Sequence, residues 1–298
     1  MAIHELHDEL VRLKICEKDS LVPFHPRLSD RDDISALQCA ISDVILLSRI
    51  DHLDDPSYFP KKERDLHLED LGLPERSDED RDTTRRMHAI KGWVDGSCWL
   101  DVGTGEGALL EALKASAKSA EAIEPNVRTR TELVSRGHLV YPSAGDAPAA
   151  HYDLITLFHV LEHFPNPLDE LKSLRRLLKS GGRIIIEVPH AKDFLLGFLK
   201  LDSFKDFTLW SQHLLLHTRQ SLTRFLEASG YRDIEVTGIQ RHPLANHLYW
   251  LAKGRPGGHD HWSELLNNEL DSAYTALLVD LDATDTLVAE AVAPEWQP

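Results

Sequence analysis

Two carboxylates lie on either side of a glycine-rich turn about a third of the way along the chain. Asp101 lies at the end of the apolar segment "CWLDV", and the turn that follows, residues 103–107, reads GTGEG. Glu124 ends the next apolar segment, "AEAIE". Glycines let a ligand approach the backbone, and the start of the following helix offers unpaired N–H groups. The pattern predicts a site for a nucleotide-like ligand, with Glu124 accepting hydrogen bonds from a ribose diol.

The carboxylate of Asp101 separates two classes of ligand. NAD-binding turns read GxGxxG, whereas this turn reads GxGxG. A carboxylate just before the turn repels a pyrophosphate and suits a ligand that carries positive charge. The pattern therefore favours a cationic ligand over a pyrophosphate, and an NAD(P)-dependent oxidoreductase or epimerase is the alternative.

Histidines follow several of the predicted strands. Chemistry in open α/β sheets takes place beyond the carboxyl ends of the strands, and histidine is the natural general base near neutral pH. The candidate bases are His213, which lies beside Trp210, then His190 and then His163. A structural role is the alternative for each. His159 and His163 have the i, i+4 spacing of some metal sites, yet a third ligand is not evident and no metal is predicted.

Alternating strands and helices must position these residues. From residue 93 onward, short apolar segments alternate with amphipathic ones. This order predicts an α/β, Rossmann-like, doubly wound fold: a mostly parallel seven-stranded sheet whose last strand, "TDTLVAEAV", is antiparallel. Residues 1–88 are predicted to form a mainly helical extension that caps the site or makes a homodimer contact. Residues 89–298 form the main domain, with an insertion at about 241–280 that covers the acceptor.

Three segments resemble successive motifs of class I S-adenosylmethionine-dependent methyltransferases. They are "LDVGTGEG", "HYDLITLFHVLEHFPNP" and "LKSGGRIIIEVP", which lie in order within residues 90–240. The resemblance implies a methyltransferase with S-adenosylmethionine as cofactor. It places the ribose at Glu124, with Phe158 and His159 beside the ligand. It assigns the methionine end of the cofactor to Asp101, Gly103, Thr104, Gly105 and Gly107.

Two later segments resemble a narrower bacterial subfamily that is often linked to surface polysaccharide or glycan modification. They contain "FKDFTLWSQHLLLHTRQ" and "QRHPLANHLYWLAKGRPGGHDHW". This resemblance implies a small polar acceptor, above all a saccharide or a sugar-containing metabolite. A non-catalytic protein that retains the cofactor site is a further alternative.

Composition limits the partners. The net charge of −16 makes nucleic acid an unfavourable partner. The chain has no apolar run of about 18 residues and no signal-peptide pattern, and its three cysteines form no CxxC pair. These features predict a cytoplasmic protein that does not insert into a membrane.

Overall fold

The computed structural model describes residues 2–54 and 77–295. The helices are α1 (Ala2–Arg12), α2 (Ser77–Val94), α3 (Ala108–Leu113), α4 (Val127–Ser135), α5 (Pro167–Leu177), α6 (Asp202–Thr208), α7 (Arg219–Ala228), α8 (Leu244–Lys253), α9 (Gly258–His261) and α10 (Asn268–Asp280). The strands are β1 (Leu21–His25), β2 (Ala36–Cys39), β3 (Ile45–Leu47), β4 (Cys98–Val102), β5 (Ser119–Ile123), β6 (Leu139–Tyr141), β7 (Tyr152–Phe158), β8 (Leu178–Pro189), β9 (Leu215–Leu216), β10 (Arg232–Ile239) and β11 (Thr286–Val292).

The chain divides into two compact units, each built from several stretches of sequence. The described residues of the first unit are 2–54, 188–222 and 237–288. Those of the second unit are 77–187, 223–236 and 289–295. The domain boundary predicted at residue 88 therefore falls inside α2.

A seven-stranded sheet has the order β10-β11-β8-β7-β4-β5-β6. The five strands β8, β7, β4, β5 and β6 pair in parallel. The last strand, β11, is antiparallel to β8. His190 N donates to Asp285 O (3.0 Å) and Ala293 N donates to Gly182 O (2.8 Å). Residue numbers therefore increase along β11 as those of the paired residues decrease along β8. The predicted Rossmann-like fold with an antiparallel last strand is confirmed.

Strand β4 lies where the order of the sheet reverses. It pairs with β5 on one side and with β7 on the other, and Asp101 stands opposite Thr156 in the β4–β7 register. All five residues of β4 are buried. Because ligands of such sheets bind in the crevice beyond the carboxyl ends of the strands at the reversal, the turn after β4 is the expected site.

Residues 2–54, the described start of the predicted extension, are not mainly helical, and residues 55–76 of that extension lie outside the described residues. After α1, the chain forms β1, β2 and β3, which join β9 in an antiparallel four-stranded sheet. The segment "ALQCAISDVILL" folds into the β2–β3 hairpin. Its turn contains Asp43 at φ +60°, a conformation that Asp adopts more readily than most residues, and Asp43 N donates to Cys39 O (2.9 Å). This polar turn interrupts the apolar run and stops it from continuing as one helix.

The predicted insertion at about 241–280 contains α8, α9 and α10. Asn246 Oδ1 accepts hydrogen bonds from Gly257 N (3.2 Å) and Gly258 N (3.1 Å), which ties the start of α9 to α8. A Cβ atom on Gly258 would overlap Ala245 O, so only glycine allows this approach. Tyr249 is buried and packs inside this unit. Among the helices that the structure describes, none is long and apolar enough to cross a bilayer.

Candidate active site

The turn between β4 and α3 needs its glycines for two reasons. Gly103, Gly105 and Gly107 have φ values of +67°, +55° and +80°, which side chains of L-residues rarely allow. In addition, a Cβ atom on Gly103 would overlap the side chain of Val160, and one on Gly107 would lie 2.6 Å from Leu133 Cδ2. The glycines thus form a cradle of bare backbone at the carboxyl end of β4.

Asp101 is held firmly at the end of β4. Its side chain is buried, and Oδ1 accepts a hydrogen bond from Thr156 Oγ1 (2.7 Å), which in turn accepts one from Trp99 Nε1 (2.8 Å). Burial raises the pKa of Asp101 to about 6, against the lowering effect of the Thr156 hydrogen bond. The carboxyl group is therefore fixed in orientation and titrates close to neutral pH.

Glu124 joins the turn to the end of β5. Oε2 accepts a hydrogen bond from Gly105 N (3.2 Å), and Oε1 accepts one from Asn126 N (2.8 Å). Burial raises the pKa of Glu124, and these two hydrogen bonds oppose the rise. Each carboxylate oxygen has two acceptor sites, so both oxygens can still accept a hydrogen bond from a ribose hydroxyl.

A pocket opens between the turn and α2. Its described lining residues are Thr83, Arg86, Asp101, Gly103, Thr104, Ala108, Leu109 and Phe158. Four of the predicted cofactor residues therefore line this pocket: Asp101, Gly103, Thr104 and Phe158. Sequence reasoning missed Thr83 and Arg86, because a stretch dense in both charges is typical of a solvated helix. The pocket presents a cation and a carboxyl group together.

The ring of His159 lies between two carboxylates. Its Nδ1 lies 3.3 Å from Glu162 Oε1 and its Nε2 lies 3.3 Å from Glu187 Oε1. Its backbone has φ +57°, and the residues after it form a short 3-10 turn, Leu161–His163. The i, i+4 spacing of His159 and His163 therefore does not correspond to one face of an α-helix. Phe158 lies on the pocket wall, whereas the His159 ring faces two carboxylates.

Two arginines of α2 converge on one of those carboxylates. Glu187, which is 1 % exposed, accepts hydrogen bonds from Arg85 Nη1 (Oε2, 2.9 Å) and Nη2 (Oε1, 2.9 Å). Arg86 donates from Nε (3.0 Å) and Nη2 (2.6 Å) to Oε1. Burial alone would raise the pKa of Glu187, but the His159 hydrogen bond and the arginine charges hold it well below its usual value. We call Arg85, Arg86, His159, Glu162 and Glu187 the Glu187 cluster.

The three candidate bases differ in exposure. His190 is 1 % exposed and its Nδ1 donates to Thr284 O (3.0 Å), while burial lowers its pKa to about 4. This geometry makes His190 a structural histidine, which corrects the prediction of a base. His213 is 9 % exposed and packs edge-on against Trp210, with ring centroids 5.7 Å apart. The side chain of His163 is 33 % exposed, more open than the other two.

The comparison with known families decides the class. A family described as "Methyltransferase domain" matches residues 75–236, more than half of the chain. The chain belongs to the methyltransferase domain family. It is a class I S-adenosylmethionine-dependent methyltransferase, and this result decides against the NAD(P)-dependent alternative.

The relatives of this methyltransferase agree with that assignment. It is 26% identical over 161 residues to a ubiquinone biosynthesis O-methyltransferase from Idiomarina loihiensis, a match that spans 49% of this chain and 65% of the relative. It is 28% identical over 172 residues to the enzyme of the same name from Thiobacillus denitrificans, spanning 51% of this chain and 74% of the relative. A methyltransferase structure from Archaeoglobus fulgidus shares the fold, with a TM-score of 0.52 and 18% identity over 76% of this chain and 97% of that one.

The residues present fit S-adenosylmethionine, the cofactor of this methyltransferase. An atom added at the Cβ position of Gly105 would meet no described atom within 4 Å, so the backbone of the glycine turn is open to a ligand there. Asp101 and Arg86 offer opposite charges to the ammonium and carboxylate of a methionine end, and Glu124 offers two acceptors to a ribose diol.

Proposed function

We propose that this methyltransferase transfers a methyl group from S-adenosylmethionine to a hydroxyl oxygen of a small polar acceptor. The observation that carries the proposal is the juxtaposition of Asp101, the glycine turn and Glu124 at the carboxyl ends of β4 and β5. The choice of oxygen is supported by the relatives, which are named O-methyltransferases.

The residues of this chain act mainly by binding and orienting. When bound, the cofactor supplies a methyl group that its sulfonium already activates. Arg86 binds the methionine carboxylate, Asp101 the ammonium group, and Glu124 the ribose hydroxyls. Alignment of methyl donor and acceptor then supplies much of the rate acceleration.

The acceptor belongs to one of two classes. The names of the relatives favour a phenolic precursor of a quinone. The two later sequence segments favour a saccharide or a sugar-containing metabolite. Either hydroxyl needs a general base, and His163 is the strongest candidate on exposure, ahead of His213.

The first experiment is calorimetric titration with S-adenosylmethionine and, separately, NADH. Saturable binding of S-adenosylmethionine alone supports the proposal. Methyl-labelled cofactor is then offered with catechols, phenols, sugar nucleotides and free saccharides, and the products are located by mass spectrometry. Label on nitrogen or carbon, or binding of NADH alone, would contradict the proposal.

The affinity for S-adenosylmethionine is expected to rise with pH between 5 and 7. The cofactor ammonium stays protonated in this range, so it binds the deprotonated form of Asp101, whose pKa is about 6. The ionised fraction of Asp101 rises about tenfold over this range, and the dissociation constant falls by about the same factor. Titrations at several pH values check this. Asp101→Asn is expected to bind more weakly and to lose the pH dependence; an unchanged slope in this variant would refute the assignment.

Replacing Glu124 by alanine is expected to weaken cofactor binding. The change removes charge-assisted hydrogen bonds to the ribose, worth roughly 1.5–3 kcal/mol, or about a 10- to 150-fold rise in the dissociation constant. Calorimetry on the folded variant measures the change. Glu132→Ala, an exposed site on α4, is the control and should bind as the wild type does. Equal affinities for Glu124→Ala and the wild type would show that the ribose is placed wrongly.

A further inference from the structure

Neighbouring arginines on α2 share one buried carboxylate but face different surroundings. Both Arg85 and Arg86 donate hydrogen bonds to Glu187. Of the two, Arg86 is the one found among the described residues that line the cofactor pocket. The guanidinium carbon of Arg86 also lies 5.0 Å from the centroid of the Phe158 ring. Arg86 is therefore held by a carboxylate and an aromatic ring at the same time.

The hydrogen bonds of Arg86 leave part of its guanidinium for a ligand. Those to Glu187 use Nε and Nη2. Within the described part of the chain, this leaves the two N–H groups of Nη1 as donors. A long arginine side chain loses rotamer entropy when a ligand fixes it. Because Glu187 and Phe158 have already fixed the Arg86 side chain, the ligand does not bear that cost.

Two carboxylates balance the charges of Arg85 and Arg86. Glu187 carries one negative charge and faces two arginines, and Arg85 occupies its Oε2 atom as well as sharing Oε1. Arg85 also donates from Nη2 to Asp82 Oδ1 (3.0 Å), so the two arginines face two carboxylates. Glu187 therefore orients Arg86, and the Nη1 donors of Arg86 are what a carboxylate of the ligand would meet.

We infer that Glu187 is a positioning residue for the cofactor: it holds the Arg86 guanidinium where it binds the carboxylate of the methionine end. Glu187 acts through Arg86 and does not itself touch the ligand. The inference rests on the proposed placement of the cofactor in the pocket of Asp101 and Arg86.

Two related nucleosides test the inference by binding alone. S-adenosylhomocysteine and 5′-methylthioadenosine share the adenosine and the neutral thioether, but 5′-methylthioadenosine lacks the amino-acid end. Dissociation constants of both are measured by calorimetry at low temperature for the wild type, Glu187→Gln and Glu187→Asp. We expect Glu187→Gln to raise the dissociation constant of S-adenosylhomocysteine at least tenfold. The dissociation constant of 5′-methylthioadenosine should change less than twofold. Glu187→Asp, which keeps the charge on a shorter side chain, should give a smaller loss of the same selective kind.

Two arginine variants complete the test. Arg86→Ala should also weaken the binding of S-adenosylhomocysteine and leave that of 5′-methylthioadenosine nearly unchanged. Adding Glu187→Gln to Arg86→Ala should weaken binding no further, because both residues act at the same contact. Arg85→Ala is the matched control and should raise the dissociation constant of S-adenosylhomocysteine less than threefold. Equal losses of both ligands would reduce Glu187 to a purely structural role, and additive effects would show that it acts independently of Arg86.

Failure of the proposed function gives a different result. If the wild type binds neither ligand, or binds both equally well, the cofactor placement is wrong. If the wild type prefers S-adenosylhomocysteine and Glu187→Gln and Glu187→Asp keep that preference, only the inference about Glu187 fails. When Glu187→Gln does not fold, the comparison of the two ligands in Glu187→Asp decides.

Discussion

Glutamine in place of Glu187 lowers the free energy of unfolding by about 3 kcal/mol, at the lower end of the range for breaking a buried ion pair. The substitution removes the counter-charge of Arg86 and one of the two carboxylates that Arg85 contacts, the other being Asp82 (Arg85 Nη2 to Oδ1, 3.0 Å). The side chains of Arg85 and Arg86 are 31% and 17% exposed, so water compensates only part of the loss. Urea denaturation measures the change as a shift in midpoint at constant slope. Glu290→Gln is the matched control. Its partner Arg183 lies 3.0 Å away, but both side chains are partly exposed (27% and 38%), and the expected loss is below about 1 kcal/mol.

The destabilisation should also depend on pH with a defined sign. The folded state holds the pKa of Glu187 well below its usual value, so its contribution is complete above the unfolded pKa of about 4.3. The contribution is lost as the pH falls below that value toward the lower folded pKa. The difference between wild type and Glu187→Gln should therefore shrink under acid conditions. Burial raises the pKa of Asp101 and Asp193 to about 6 and 7, and these groups act in the opposite direction in both proteins. A difference that grows in acid would contradict the ion-pair account.

Alanine at Gly103 is expected to abolish measurable cofactor binding and to destabilise the fold by about 2–5 kcal/mol. The left-handed backbone of residue 103 costs an L-residue about 1–2 kcal/mol, and the new Cβ atom overlaps Val160, which adds an overpacking cost of about 1–3 kcal/mol. The backbone strain and the overlap with Val160 are relieved only if the turn moves away from the end of β4. Calorimetry with S-adenosylmethionine and urea denaturation measure the two effects.

Gly137→Ala separates backbone strain from the loss of the cradle. Gly137 also has a positive φ (+87°), but a Cβ atom added there would meet no described atom within 4 Å, and the residue follows α4 outside the pocket. This variant should lose about 1 kcal/mol of stability and bind the cofactor as the wild type does. Normal binding by Gly103→Ala would mean that the turn tolerates displacement and is not the cofactor cradle.

The sequence predicts what is encoded locally. Asp101, the glycine turn and Glu124 follow consecutive strands, so their approximate meeting point follows from the topology of a parallel sheet. Arg86 reaches the same pocket from a helix whose pattern resembles a solvated one, and no periodicity marks which of its charged residues points inward. The partnership of Arg86 with Glu187 spans 101 residues and is set by tertiary packing alone.

Two further differences between the prediction and the structure concern His190 and the N-terminal region. His190 follows a predicted strand as a catalytic base would, yet its ring is enclosed, and sequence order alone does not reveal how far a side chain is covered. In the N-terminal region, the apolar run around Asp43 fits a helix or a strand equally well. The turn at Asp43 decides between them, and a single residue in a left-handed conformation gives a weak signal.

The antiparallel last strand makes the order of synthesis matter for this protein. Strand β11 lies between β10 and β8 in the sheet, and His190 N on the β8 side pairs with Asp285 O, 95 residues later in the chain. During translation, β8 therefore emerges well before its neighbour and presents an unpaired edge. At about 5–20 residues per second, this interval lasts roughly 5–19 seconds, long enough for edge-to-edge association with another nascent chain. Folding on the ribosome should complete the sheet late, and chains stalled before residue 286 should aggregate or recruit chaperones.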